Sequence, residues 1–181
     1  SAPANRSTNG PLDLSEANPA LPYIDLGALR IPPRENMQMR LEIEESTKRV
    51  VAVTLDLSGS TVQCQVFAAP RSTGLWNEIR GQVADQLAKQ GGSSSLTQGV
   101  FGPELDARVP VADGEPRHVR FVGVDGPKWF LRGVISGQGA VQPDRLQHDA
   151  LVVLAQAALA GAAGLQAWGG GGMGFRGQGL L

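Results

Sequence analysis

The chain has 181 residues, a formal net charge of −1 and a single cysteine, Cys64. That length suits one domain with tails. The near balance of acids and bases supplies no long-range attraction to nucleic acid or anionic lipid. One cysteine excludes an intramolecular disulfide, and no second Cys or His lies near it in sequence to complete a zinc site, so a reducing, cytoplasmic setting is expected.

Residues 1–20 are rich in Pro, Asn and Ser and poor in large apolar side chains, which predicts a flexible arm. The arm holds no apolar stretch of the kind a secretory signal needs. "PYIDLGALRIPP" predicts a short extended segment bounded by prolines, suited to a sheet edge. From Met37 the period becomes two. Met37, Met39, Leu41 and Ile43 alternate with Gln38, Arg40, Glu42 and Glu44, which places the apolar set on one face of a strand. After the turn "ESTK", "VVAVTLDL" continues the alternation through Val51, Val53, Leu55 and Leu57. "SGS" then permits a tight turn into "TVQCQVFA", where Val62, Cys64 and Val66 alternate with Gln63 and Gln65. These runs predict an antiparallel meander with one wet face. Cys64 lies on its apolar side, as a buried hydrophobe would.

Leu75, Trp76, Ile79, Val83 and Leu87 recur at helical spacing, which predicts a helix of about 15 residues. Ser72 or Thr73 is placed to cap its start, and Gly91 with Gly92 to end it. "SSSLTQGVFGP" reads as a loop, and "ELDARVPV" alternates again as a strand. "RFVGVDGPKWFLRGV" predicts a hairpin turning over Asp125 to Lys128. Val122, Val124, Trp129 and Leu131 would then face the helices, and Phe121 and Phe130 would lie beneath the N-terminal arm. In that register Phe130 covers the backbone of Gly123. A second helix is expected to open near Pro143. No stretch is apolar enough to span a membrane: the nearest, "ALVVLAQAALAGAAGLQAW", is mostly Ala and Gly and is broken by Gln156 and Gln166. Residues 161–181 predict a flexible Gly-rich tail.

The expected fold is therefore α+β: an antiparallel sheet of about five or six strands in two meander or hairpin groups, with helices on one face. A single domain would occupy residues 21–160.

No constellation carries chemistry by its spacing. Gly172, Gly174 and Gly177 form a GxGxxG that neither follows a strand nor opens a helix, so it is no dinucleotide site. His118 and His148 lack metal-ligand spacing, and no metal or cofactor is assigned. His118 with Asp113 or Asp125 and a serine would sketch a hydrolytic triad, which any chain of this length offers. A binding surface can be drawn from Arg71 and Trp76, at an anion-favouring helix start, and from Lys128, Phe130 and Arg132, as a basic stacking platform. The plainer reading of both groups is a capped helix and a hairpin core.

The phrases "YIDLGALRIPP", "MRLEIEE", "VFAAPRSTGLWNEIRGQVADQL", "GVFGPELDARVPV" and "RFVGVDGPKWFLRGVISG" together resemble the actinobacterial family known as domain of unknown function 3710. The likeness runs from about Pro22 to Gly137. Beyond Gln147 the Ala- and Gly-rich sequence departs from the Val-rich segment and Pro-rich end that the family leads one to expect. The resemblance implies a cytoplasmic actinobacterial protein and carries no activity, cofactor or catalytic residue. With no assembled chemistry, the expected function is a non-enzymatic, chaperone- or adaptor-like interaction domain, binding another protein or a second copy through a sheet edge or the helix face. A nucleic-acid or nucleotide-phosphate binder is the alternative, and a small hydrolase the third reading.

Overall fold

The computed structural model describes residues 12–13, 16, 20, 22–26, 29–31, 33, 35–46, 48, 50–57, 59–68, 74–99, 101–126, 129–137, 158–159 and 166–167. Twelve strands and one helix lie among them: β1 (Leu12–Asp13), β2 (Ile24–Asp25), β3 (Leu29–Ile31), β4 (Met37–Ile43), β5 (Val50–Leu57), β6 (Ser60–Ala68), α1 (Trp76–Lys89), β7 (Ser93–Gly99), β8 (Gly102–Val109), β9 (Arg117–Gly126), β10 (Trp129–Gly137), β11 (Ala158–Leu159) and β12 (Gln166–Ala167). The fold is α+β and mostly antiparallel.

The main sheet runs β4-β5-β6-β10-β9-β8-β7, with β12 also paired to the end of β6. Two meanders, β4-β5-β6 and β7-β8-β9-β10, are joined where β10 pairs antiparallel with β6 from Trp129↔Ala68 to Gly137↔Ser60. The connection from β6 to the far edge at β7 contains α1, whose buried residues Trp76, Ile79, Val83 and Leu87 are those of the helical pattern. They pack on Leu105, Ala107, Val109, Val119, Phe121, Phe130 and Val134, one face of the second meander. The opposite face carries Val53, Leu55, Val62, Cys64, Val122, Val124, Trp129, Leu131 and Ile135, covered by Leu29 and Ile31 of β3. Both faces of the central strands are thus buried, each by a different layer.

Several expectations need correcting. "SSSLTQG" is the edge strand β7, paired to β8 from Ser93↔Arg108 to Gly99↔Gly102. Its backbone supplies the pairing, so its polar side chains leave no alternation to read. In the β9–β10 pair Trp129 lies opposite Gly126 and Leu131 opposite Val124. That is a two-residue shift from the expected register, so every side chain keeps its face. What covers each face is inverted: Phe121 and Phe130 meet α1, while Val122, Val124, Trp129 and Leu131 meet the N-terminal segment. The segment Ile24–Ile31 forms a small hairpin over that face rather than an edge of the main sheet.

The second helix is not formed at Ala158–Leu159, where β11 pairs with β3 and with β1. There the backbone hydrogen bonds run to neighbouring strands instead of along the chain, and an Ala-rich run without periodicity does not distinguish the two. The remainder of that expected helix lies outside the described residues. β1 lies within residues 1–20 and β12 within residues 161–181.

The start of α1 is capped from outside its own segment. Ser72 and Thr73 lie outside the described residues, and Leu75 at the cap position makes no side-chain capping bond. Asp125 Oδ1 instead accepts from the backbone N–H of Leu75 at 2.6 Å and of Trp76 at 3.3 Å. A carboxylate there satisfies orphan donors and faces the positive end of the helix dipole. The C-terminus closes as its glycines predict: Gly91 takes a φ of 85°, and the Gly92 N–H donates to the Leu87 carbonyl at 2.8 Å.

Candidate interaction edge and buried charge cluster

Of the five residues proposed from sequence as a binding surface, three are described. Arg71 and Lys128 lie outside the described residues. Trp76, Phe130 and Arg132 come together, but as core between α1 and the sheet, all three at most 2% exposed. The Trp76 and Phe130 rings stack with centroids 6.1 Å apart, and Phe67 stacks on the far side of Phe130 at 6.4 Å. The indole N–H of Trp76 donates to the Pro103 carbonyl at 2.6 Å, and the Arg80 guanidinium lies 5.6 Å from the indole ring. Arg132 stands between Phe130 and Val134 along β10 and donates to Gln65 Oε1 on β6. Burial pulls the Arg132 pKa down to about 10, which leaves it charged at neutral pH. No aromatic platform faces solvent at Phe130.

His118 contacts Asp106, not Asp113 or Asp125. The contact runs through Nε2, while Nδ1 is buried without a hydrogen-bond partner. A hydrolytic base turns its second ring nitrogen toward a nucleophile; here that nitrogen is shut away from solvent. Beside this pair, Glu104 approaches Arg120 at 3.5 Å with the carboxylate 1% exposed. Burial pushes the Glu104 pKa up to about 7, the Arg120 charge opposes this and the Asp106 charge adds to it. These four side chains lie on one face of β8 and β9, alternating with Leu105, Ala107, Val119 and Phe121. Alternation along β8 and β9 reports which residues share a face but not what covers it. Among the described residues no group of three or more His, Cys, Asp and Glu side chains is arranged to hold a metal ion.

Cys64 is buried, and burial pushes its thiol up to about 12. It forms part of the wall of a small cleft of about 20 Å³ between the N-terminal segment and β5–β6, with Leu26, Leu29, Val53 and Val66. That volume is about one water molecule.

The surface that stands out is the outer edge of β4. Among the described residues β4 pairs only with β5, from Met37↔Leu57 to Ile43↔Val50. The one irregularity, between Glu42 and Ile43, places an extra residue on β5 and leaves β4 unbroken. Met37 and Met39 pack against the core, but the same face continues into Leu41 and Ile43, which are 42% and 51% exposed. On the other face Arg40 reaches Asp56 at 3.3 Å and Glu42 is exposed. The opposite edge, β7, offers Ser93, Ser94 and Ser95 with one exposed apolar residue, Leu96. The solvent side of α1 offers Asn77, Glu78, Gly81, Asp85 and Lys89. Sequence alternation put Leu41 and Ile43 on the apolar face, yet gave no sign that the covering layer ends before reaching them.

Among the described residues no helix is long and apolar enough to cross a membrane. No curated protein and no solved structure matches the chain. A family model described as a protein of unknown function, DUF3710, matches residues 10–159, further toward the C-terminus than the motif likeness reached. With most of its length matched, including the sheet, α1 and the β4 edge, the chain belongs to the DUF3710 family.

Proposed function

We propose that this chain is a protein-interaction domain that takes an extended polypeptide segment along the outer edge of β4. The observation that carries this reading is a seven-residue strand paired on one side only among the described residues, whose core face runs out into exposed Leu41 and Ile43. An edge strand presents a row of backbone donors and acceptors that template another strand, and proteins usually blunt such edges with proline, bulges or inward charges. β4 has none of these on its apolar face. Strand addition draws affinity from the backbone ladder and specificity from alternate side chains. Here the incoming strand would set apolar residues beside Leu41 and Ile43 and polar ones beside Arg40 and Glu42.

The test is native mass spectrometry of the full chain purified gently, compared with Leu41→Lys/Ile43→Lys. Both positions are exposed, so the helical circular dichroism signal should be unchanged. The reading expects a complex with a polypeptide that the double variant loses. A complex that survives the double variant, or a chain carrying no polypeptide at all, would overturn it.

A further inference from the structure

Resting on the reading of β4 as a docking edge, we infer that its occupant is the β4 strand of a second copy of this chain, paired antiparallel about a two-fold axis at Leu41. A two-fold antiparallel pair must match residues of the same parity, because neighbours along a strand point to opposite faces. Five such registers, centred on Gln38 to Glu42, pair three or more residues of the strand with its copy. Centring on Arg40 sets Arg40 against its own copy, and centring on Glu42 sets two carboxylates together; like charges directly opposite are destabilising. Centring on Gln38 or on Met39 leaves Ile43 beyond the overlap, without a partner.

Centring on Leu41 avoids all three faults. Leu41 meets Leu41 of the copy, and Met39 meets Ile43 twice, so the apolar stripe continues across the axis and both exposed side chains are covered. On the opposite face Arg40 meets Glu42, again twice. Arg40 already holds Asp56 of its own β5 at 3.3 Å, so it would stand between two carboxylates. β4 itself carries no extra residue, so the ladder from Met39 to Ile43 runs without a break. An isologous contact of this kind closes on itself and leaves no β4 edge open to further growth.

The experiment is sedimentation velocity of the full chain, of Arg40→Glu, of Glu42→Arg, and of the two variants mixed. The parent is expected as a dimer. Each charge reversal places like charges opposite at two symmetric points and should weaken the dimer by roughly tenfold or more. The mixture should restore it as a heterodimer, since the carboxylate introduced at position 40 of one chain then meets the guanidinium introduced at position 42 of the other. A monomeric parent, or a dimer indifferent to both reversals, would overturn the inference. The broader reading fails separately, when native mass spectrometry finds no bound polypeptide or when Leu41→Lys/Ile43→Lys leaves the complex intact.

Discussion

The Trp76 indole occupies the space in which a side chain on Gly123 would lie: a β-carbon built there would overlap Trp76 Cδ2 and Cε3. The first residue of α1 therefore rests on bare strand backbone of β9, and Arg132, the cross-strand partner of Gly123, lies beside it on the same face. An aromatic ring does cover the strand glycine, but it comes from the helix rather than from Phe130.

Gly123→Ala should accordingly destabilise the domain by about 1 to 3 kcal/mol, because the indole is held by its bond to Pro103 and its stack on Phe130 and has little room to yield. Trp76→Ala should cost about 3 to 5 kcal/mol by itself. Made in the Trp76→Ala background, Gly123→Ala should cost much less, since the clash has gone. Urea unfolding of the four members of this double-mutant cycle gives the coupling directly. Additive costs would refute the contact.

Glu104 makes stability depend on pH in a defined direction. Its carboxyl holds a proton up to about pH 7 in the folded chain, against an ordinary value of 4.5. Between those values the unfolded chain has released the proton while the folded chain retains it, so rising pH favours unfolding. The contribution is fully present below pH 4.5 and lost above about 7, amounting to about 3 kcal/mol. Glu104→Gln should remove that slope. The quantity to follow is the difference in urea midpoint between parent and variant across this range; a difference that stays constant would rule out Glu104 as its source.

Arg132 is a buried cation hydrogen-bonded to the neutral Gln65, with its Nε otherwise unpartnered. Arg132→Ala leaves a cavity and removes a donor from the Gln65 amide oxygen, and should cost about 2 to 4 kcal/mol. Arg132→Met fills most of the space and removes a desolvated charge, so its effect should stay within about 1 kcal/mol in either direction. Chemical denaturation of both variants measures this. An equal loss in the two would mean that the guanidinium itself, rather than its volume, holds the strands together.

How far the sequence can be read is clearest at three places. The period-two run from Met37 to Ile43 and the helical run from Trp76 to Leu87 were legible because each element's period is set by backbone geometry, which acts locally. β7 was not legible, because an edge strand with polar side chains is held by backbone bonds to β8 that no composition announces. The cap on α1 was legible in kind but not in source: a helix start needs an acceptor, and Asp125, 49 residues beyond Trp76, provides it.

The candidate edge follows the same division. By itself the sequence determined which residues share a face, the position of α1 and its glycine stop, and the α+β order, because these depend on rotation per residue and local dihedral preference. Only the tertiary structure decided that α1 covers Phe121 and Phe130 while β3 covers Trp129 and Val124, and that the cover stops short of Leu41 and Ile43. It alone placed Glu104 and Arg120 in the interior. Those outcomes depend on which layer packs against which face, a property of contacts between segments far apart in the chain, and alternation along one strand carries no record of them.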